Sequence, residues 1–299
     1  MPTPQRIAIT GATGLVGTAL TAALQKRGDT VVPISRSQQP GGIVWDIDSG
    51  KLDADTLNGV NAIIHLAGAG VADERWTDER KRVLRESRIK SGQMLVDAMG
   101  KIANPPKVFI SASGAGYYGP KPGKEVDETA PLGPGFLAEI CRDWEATALA
   151  AEKHGARVAI ARITVVLAAN GGALERMLPP FKLGLGGPLG DGKQRLGWIT
   201  LDDVVAGLIF LLDHDDCQGP YNFAAPEIVS NKEFAQALGN VVNRPAKIPT
   251  PRLALKLAFG ELVDETLFAD APVVPRRLLD AGFEFNFPKL DAALEHVLK

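Results

Sequence analysis

The sequence predicts an α/β protein built on a doubly wound, mostly parallel sheet flanked by helices. Ile7–Ile9 is apolar at every position, which is typical of a strand buried on both faces of a parallel sheet. A helical stretch, Leu15–Arg27, and a second strand, Thr30–Ser35, follow it and complete a βαβ unit. The pattern of a strand that runs into glycine recurs at Asn61–Gly68. These observations place several parallel strands in one sheet.

The length of the chain favours one large domain with an appended lobe. With 299 residues it can bury a full core. We expect a first domain over residues 1–225 and a small C-terminal substrate lobe over residues 226–299. Glycine and proline are dense at about 169–197, which predicts a loop-rich, lid-like insertion in the first domain.

Three glycines mark the corner between the first strand and the first helix. Gly11 permits a tight turn, Gly14 lets the backbone approach a pyrophosphate, and Gly17 lets the helix pack closely on the sheet. The free amides and the positive dipole end at the start of a helix favour an anionic ligand. The corner therefore predicts a Rossmann-type dinucleotide site, although a glycine-rich turn without a ligand is the alternative. The predicted cofactor contacts here are Gly11, Thr13, Gly14, Leu15, Val16 and Gly17.

The end of the second strand predicts which dinucleotide is bound. An acidic residue at this place would hold a ribose 2′-hydroxyl, whereas this chain has Ser35 and Arg36. A hydroxyl and a guanidinium suit a 2′-phosphate. The predicted cofactor is therefore NADP, and the alternative is a strand end that only faces solvent.

Composition narrows the classes of partner. The net charge is −2, with 33 basic and 35 acidic side chains, so neither nucleic acid nor an anionic membrane is expected as a partner. No apolar run approaches the length of a membrane span. The two cysteines, Cys141 and Cys217, form no C-x-x-C pair, and no metal site is expected. We expect a cytoplasmic monomer or homodimer that takes a small-molecule substrate.

Two glycine-rich runs carry a family resemblance. Thr10–Gly17 and Ser111–Gly119 together resemble the extended short-chain dehydrogenase/reductase family. The resemblance implies that the backbone of Leu66, Ala67 and Gly68 runs beside the adenosine and its phosphates. It also matches Arg162 to an arginine that contacts a phosphate of cofactor or substrate, while pairing with a structural carboxylate is the alternative for this residue.

The same resemblance implies a catalytic serine at the end of a central strand. Ser113 matches the serine that hydrogen-bonds the reacting carbonyl or alcohol, and Tyr117 and Tyr118 would then lie at the mouth of the cleft. A phenol at that place can donate a hydrogen bond to substrate. The alternative is a glycine-rich turn in which the tyrosines cap the core.

The sequence departs from that family at its proton relay. A Tyr-x-x-x-Lys on the next helix normally supplies an acid/base tyrosine and a lysine that lowers its pKa. Aligning Glu145 with the family's helix glutamate places Leu137 and Cys141 at those two positions. The helix sequence instead resembles an atypical, epimerase-like branch that is related to sugar-nucleotide epimerases and has a small C-terminal domain of unknown function. The side chains of this helix with chemistry to offer are Glu139, Cys141 and Arg142.

Two functional hypotheses follow. The first is an NADP-dependent oxidoreductase or epimerase-like enzyme that acts on a small polar or nucleotide-linked carbonyl or alcohol. The second is a catalytically silent NADP-binding module with a sensing or regulatory role. In either case we expect His65 to be a core histidine, Thr77 to cap a long basic helix, and Arg88 on that helix to orient the cleft.

Overall fold

The computed structural model describes residues 3–299, so the first two residues of the predicted first domain lie outside it. Its strands are β1 (Arg6–Thr10), β2 (Thr30–Ser35), β3 (Ile43–Asp46), β4 (Lys51–Leu52), β5 (Ala62–His65), β6 (Val108–Gly114), β7 (Arg157–Ile163), β8 (Val165–Leu167), β9 (Arg195–Leu196), β10 (Trp198–Thr200), β11 (Gly219–Phe223) and β12 (Val229–Ser230). Its α-helices are α1 (Leu15–Arg27), α2 (Asp78–Met99), α3 (Phe136–Leu149), α4 (Gly172–Lys182), α5 (Leu201–Asp213), α6 (Asn231–Val241), α7 (Arg252–Phe259), α8 (Leu262–Glu265), α9 (Arg276–Asp280) and α10 (Leu290–Leu298).

An eight-stranded sheet in the order β11-β7-β6-β5-β1-β2-β3-β4 forms the centre of the molecule. Neighbouring strands are parallel except β3 and β4. The strand order reverses between β1 and β5, where Thr10 pairs with Ile34 on one side and with His65 on the other. In an open α/β sheet, ligands bind in the crevice outside the carboxyl ends of the strands at such a point.

Helices cover both faces of this sheet, as a doubly wound fold requires. On one face Leu20 and Leu24 of α1 share a buried apolar cluster with Leu208 of α5. On the other face Leu95 of α2 and Ala148 of α3 share a second cluster. The predicted fold class is therefore confirmed. Among residues 3–299 no helix combines the length and the apolar character needed to cross a bilayer.

The predicted threonine cap of α2 is confirmed, and a second threonine caps α5. Thr77 caps α2 by accepting a hydrogen bond from the Arg80 amide at 3.1 Å. Asp202 and Asp203 at the start of α5 are also typical capping residues, but Thr200 is the cap and accepts from the amide of Asp203. The Asp203 carboxylate instead accepts from the Asn286 amide at 2.8 Å and so ties the C-terminal segment to the sheet domain.

The segment at 169–197, which its glycines and prolines predict to be loop-rich, contains a helix. Helix α4 includes Pro179 and Pro180, which cannot donate to the carbonyls of Glu175 and Arg176 one turn earlier. Both of those residues are exposed, so water can hydrogen-bond their carbonyls. Apolar side chains one helical turn apart hold α4 against a buried cluster that it shares with α6 and α10, namely Leu174, Leu178 and Phe181.

Candidate functional site

The glycine corner between β1 and α1 is a close contact of backbones. Gly11 has φ +69°, and a Cβ at this residue would lie 3.0 Å from the carbonyl carbon of Leu66. A Cβ at Gly17 would lie 2.7 Å from the Cα of Ala12. Gly14 has ordinary φ, and its Cβ would meet only the Gly11 oxygen, at 3.3 Å. Packing therefore requires glycine at Gly11 and Gly17, whereas Gly14 leaves space for a ligand.

The start of α1 fits an anionic ligand. Gly14 supplies no side-chain cap, and the first turn contains no acidic residue. The first amides of a helix have no partner within the helix and lie at the positive end of its dipole. Leu15 and Val16 open this turn and Thr13 precedes its cap, so the corner can hold the pyrophosphate of a dinucleotide through backbone N–H groups.

A buried hydrogen-bonded chain fixes the backbone at the end of β5. Thr10 Oγ1 accepts from the amides of Leu66 and Ala67, both at 3.1 Å, so its own hydrogen points to His65 Nδ1 at 2.7 Å. The other ring nitrogen, Nε2, then carries the hydrogen and donates to Ser91 Oγ at 3.1 Å. Burial lowers the pKa of His65 to about 4, so the ring is neutral. The prediction of a core histidine is confirmed.

Arg88 of α2 supports the next residues of the same segment. Its Nη2 donates to the carbonyl of Ala69 at 2.9 Å, and its guanidinium lies against Gly68, where a Cβ would be 3.0 Å from Cζ. Burial lowers the pKa of Arg88. The segment from Leu66 to Gly68 is thus held from both sides, although its contact with a cofactor remains a prediction.

The end of β2 presents a free cation. Arg36 is exposed and forms no hydrogen bond or ion pair with any other of residues 3–299. Ser35 Oγ donates to the carbonyl of Ser37 and so turns the chain at the strand end. Since β2 pairs with β1, Arg36 follows the strand beside the glycine corner, and its contact with a 2′-phosphate stays a prediction.

A buried ionic network lies on the other side of the cleft. Ser113 Oγ donates to Glu145 Oε1 at 2.7 Å, and Arg162 donates to both oxygens of Glu145 at 2.8 Å. Burial alone would lower the pKa of Arg162, but the hydrogen bonds and charge of Glu145 raise it above its usual value. The carboxylate pairing that the sequence left open for Arg162 is therefore the observed one, and a phosphate contact by this residue stays a prediction.

The two adjacent tyrosines have different environments. Tyr118 is fully buried; its hydroxyl donates to Asn222 Oδ1 at 2.6 Å and accepts from Arg162 Nη1 at 2.9 Å. Burial raises the pKa of Tyr118 to about 12. The predicted position of Tyr118 at the cleft mouth is therefore wrong, because its ring is buried in the core and its hydroxyl is hydrogen-bonded there.

Tyr117 is half-buried, and its ring lies over the Arg162 guanidinium with 3.5 Å between Cζ and the ring centroid. Its hydroxyl forms no hydrogen bond within residues 3–299. Of the two phenols, only that of Tyr117 is available to a ligand.

Helix α3 offers no acid or base in place of the missing relay. Leu137 packs on Gly116, where a Cβ would lie 3.0 Å from the leucine Cβ. Cys141 is buried beside the Gly114 carbonyl, and burial, with the nearby Glu145 charge, raises the pKa of its thiol. Glu139 and Arg142 are both exposed. The positions of the missing tyrosine and lysine therefore contribute packing and no acid/base group.

Sequence reasoning did not assign the carboxylates that connect the cleft to the C-terminal segment. Glu265 accepts from the first amides of α3, at Phe136 and Leu137, at 3.0 and 2.8 Å. Glu128 is buried and accepts from the Asn222 amide at 2.8 Å, and burial raises its pKa. The local sequence carries no signal for these contacts, because both carboxylates stand beside other polar residues and these partners lie 94 to 129 residues away.

Comparisons with known proteins agree with the fold. Residues 7–224 match the model of the NAD dependent epimerase/dehydratase family, and residues 250–297 match a domain of unknown function, DUF1731. The epimerase family protein Mb2239 of Mycobacterium bovis is 40% identical over 290 residues, which cover 96% of each chain. The human epimerase family protein SDR39U1, in a crystal structure described as "with NADPH", is 35% identical, covers 98% of each chain and has a TM-score of 0.90.

Proposed function

The chain belongs to the NAD dependent epimerase/dehydratase family, and on that premise we propose that it binds NADP(H) and acts as an oxidoreductase or epimerase-like enzyme on a small polar or nucleotide-linked substrate. The observation that carries this proposal is the uncapped start of α1 beside the free cation Arg36. The human relative's description as a structure with NADPH supports the same choice of cofactor. When bound, NADP(H) supplies or accepts a hydride at its nicotinamide ring.

The chain's own residues would bind and orient the substrate at the end of β6. Ser113 gives its hydrogen to Glu145, so its oxygen is left as an acceptor for a substrate hydroxyl. Tyr117 would donate to or accept from the reacting oxygen. Arg162 fixes the Tyr117 ring by stacking, and Glu145 and Tyr118 fix Arg162. In this proposal Tyr118 positions the cation and does not touch the substrate.

A catalytically silent NADP(H)-binding module is the second candidate. The observation in its favour is the apolar lining of α3, because Leu137 and Cys141 stand where the family resemblance places tyrosine and lysine. A substrate-dependent change in nicotinamide absorbance decides between the two. Such a change removes the silent module, and its absence across small carbonyls, alcohols and sugar nucleotides favours it.

The cofactor proposal is tested by titrating the protein with NADPH and NADH. We expect the wild type to prefer NADPH. Arg36→Asp should weaken NADPH binding by roughly 10- to 100-fold, because it replaces a charge-assisted contact with the 2′-phosphate by a repulsive carboxylate. NADH binding should be kept or become stronger, because an acidic residue at this place can hold the ribose 2′-hydroxyl. Lys193→Asp makes the same change of charge at a side chain that is 85% exposed, and it should have no effect. Binding of neither nucleotide by the wild type would overturn the proposal.

The catalytic assignment is tested with Ser113→Ala/Tyr117→Phe on any substrate that changes the nicotinamide absorbance. We expect turnover to fall by roughly 100-fold or more while NADPH affinity is kept. Tyr221→Phe is the matched control, since that phenol contacts Arg277 and forms no hydrogen bond with Ser113, Glu145 or Arg162. Undiminished turnover in the double variant would remove both residues from the chemistry.

We further propose a cytoplasmic location and a monomeric or homodimeric state, with a small molecule as the partner. Cell fractionation tests the location. Light scattering of the purified protein decides between the two states.

A further inference from the structure

Two segments flank the start of α1 and face each other across it. On one side, Gly11 touches the Leu66 backbone at the end of β5. On the other side, a Cβ at Gly171 or Gly172 would lie 3.3 Å from the Leu15 side chain in the first turn of α1. The predicted pyrophosphate site therefore lies between the chain that follows β5 and the first turn of α4.

Arg176 joins these two segments. It lies four residues after Gly172 and so shares the same face of α4. Its Nη2 donates to Asp73 Oδ1 at 2.8 Å, and its Nη1 donates to the Ala72 carbonyl. The contacts form a closed ring from the glycine corner through the chain after β5 to Arg176, and back through α4 to Leu15. The Arg176 side chain closes this ring of contacts, which begins and ends at the start of α1.

The ion pair between Arg176 and Asp73 closes the ring, and Arg176 can exchange Asp73 for another anion. The side chains of Arg176 and Asp73 are 56% and 54% exposed, and ion pairs in such surroundings contribute little to stability. Asp73 also has a second cation, since Arg80 Nη2 lies 3.8 Å from its other oxygen. Arg80 in turn holds the Gly70 carbonyl at 2.7 Å, so the loop keeps its anchor if Arg176 leaves.

The glycine corner supplies amides but no cation, because residues 10–17 contain no lysine or arginine. We infer that Arg176 is a further phosphate-binding residue of the dinucleotide site, where it exchanges Asp73 for the pyrophosphate of the cofactor. This inference rests on the proposed NADP(H) binding. A pyrophosphate carries more charge than one carboxylate and accepts two parallel N–H bonds from a guanidinium, so it competes well for this side chain.

The test compares the two partners of the ion pair in titrations with NADPH and NADH at two salt concentrations. Arg176→Gln should weaken binding of both nucleotides by about tenfold and reduce the salt dependence. Asp73→Asn should strengthen binding of both by about two- to threefold, because it removes the competing anion. Arg82→Gln is the matched control, since Arg82 is also 56% exposed and paired with carboxylates on α2, and it should change nothing.

Each other outcome has a separate meaning. Unchanged affinity in Arg176→Gln, or equal weakening in Arg176→Gln and Asp73→Asn, would overturn the inference, the second because the ion pair would then only shape the loop. Loss of NADPH binding without loss of NADH binding would overturn it by pointing to the 2′-phosphate. Failure of the wild type to bind either nucleotide would remove the proposed function itself. Melting temperatures of all variants separate these outcomes from unfolding.

Discussion

The two sides of the cleft differ in the groups that form them: backbone on one side and side chains on the other. The proposed cofactor side is a contact of backbones, in which Gly11 and Gly17 allow chain segments to touch. Neutral hydrogen bonds through Thr10 and His65 hold the amides of Leu66 and Ala67. The proposed substrate side is a network of side chains centred on the ion pair of Glu145 and Arg162. The backbone contact requires glycine at a few positions, because any side chain there would collide with the neighbouring segment. The side-chain network requires all of its members together, because each buried charge needs its partner.

This difference predicts where the molecule is most sensitive. Removing one member of a buried ion pair leaves the other charge without compensation. Adding a methyl group to a backbone contact displaces neighbours but creates no charge. The following variants test this contrast between the two sides.

The largest effect is expected from Arg162→Met, which leaves Glu145 buried without its cation. We expect the free energy of unfolding to fall by about 3–5 kcal/mol. The double variant Glu145→Gln/Arg162→Met should recover much of this loss, because it removes both charges. Urea unfolding measures both variants. A loss below about 1 kcal/mol in the single variant would mean that the network is not the sensitive side.

The next largest effect is the pH dependence of stability that His65 and its hydrogen bonds cause. The pKa of His65 in the folded protein is about 4, below its ordinary value of 6.5. Between these values the unfolded chain takes up a proton that the folded protein does not, so stability should fall as pH drops from about 6.5 to about 4, by up to about 3 kcal/mol. His65→Gln should be less stable at neutral pH and lack this slope, while His214→Gln should keep it. The same slope in both variants would contradict the prediction.

A smaller effect separates two glycines of one corner. Gly17→Ala should lower the free energy of unfolding by about 1–3 kcal/mol, because the new Cβ would lie 2.7 Å from the Ala12 Cα. Gly14→Ala meets only the Gly11 oxygen at 3.3 Å, so it should fold normally but bind NADPH more weakly. Thermal unfolding and nucleotide titration measure the two properties. Equal instability of the two variants would show that Gly14 also serves packing.

The smallest effect separates the adjacent tyrosines. Tyr118→Phe removes a hydroxyl that bonds Asn222 and Arg162, and we expect it to destabilise the protein by about 1–2 kcal/mol. Tyr117→Phe should change stability by less than about 0.5 kcal/mol, since its hydroxyl bonds none of residues 3–299. Chemical denaturation of the two variants gives the comparison directly. The reverse order would mean that Tyr117 is the structural phenol.

The sequence by itself determined the sheet, the corner and the cofactor hypothesis. These features are local. The glycines that permit the corner lie within seven consecutive residues, and Arg36 is the residue immediately after β2. Periodicity, capping residues and glycine spacing are read over the same short range as the structures that they specify. For this reason α1 begins and ends at the predicted residues, and Thr77 caps α2 as expected.

Only the tertiary structure decided which side chains meet. Tyr117 and Tyr118 are neighbours in sequence, yet one ring lies over Arg162 and the other is enclosed in the core. Asn222, which accepts a hydrogen bond from the Tyr118 hydroxyl, lies 104 residues further along the chain. Helix α4 formed despite its prolines, because its buried face packs on the neighbouring helices. Burial and long-range hydrogen bonding are properties of the folded chain, so no local pattern could assign these partners.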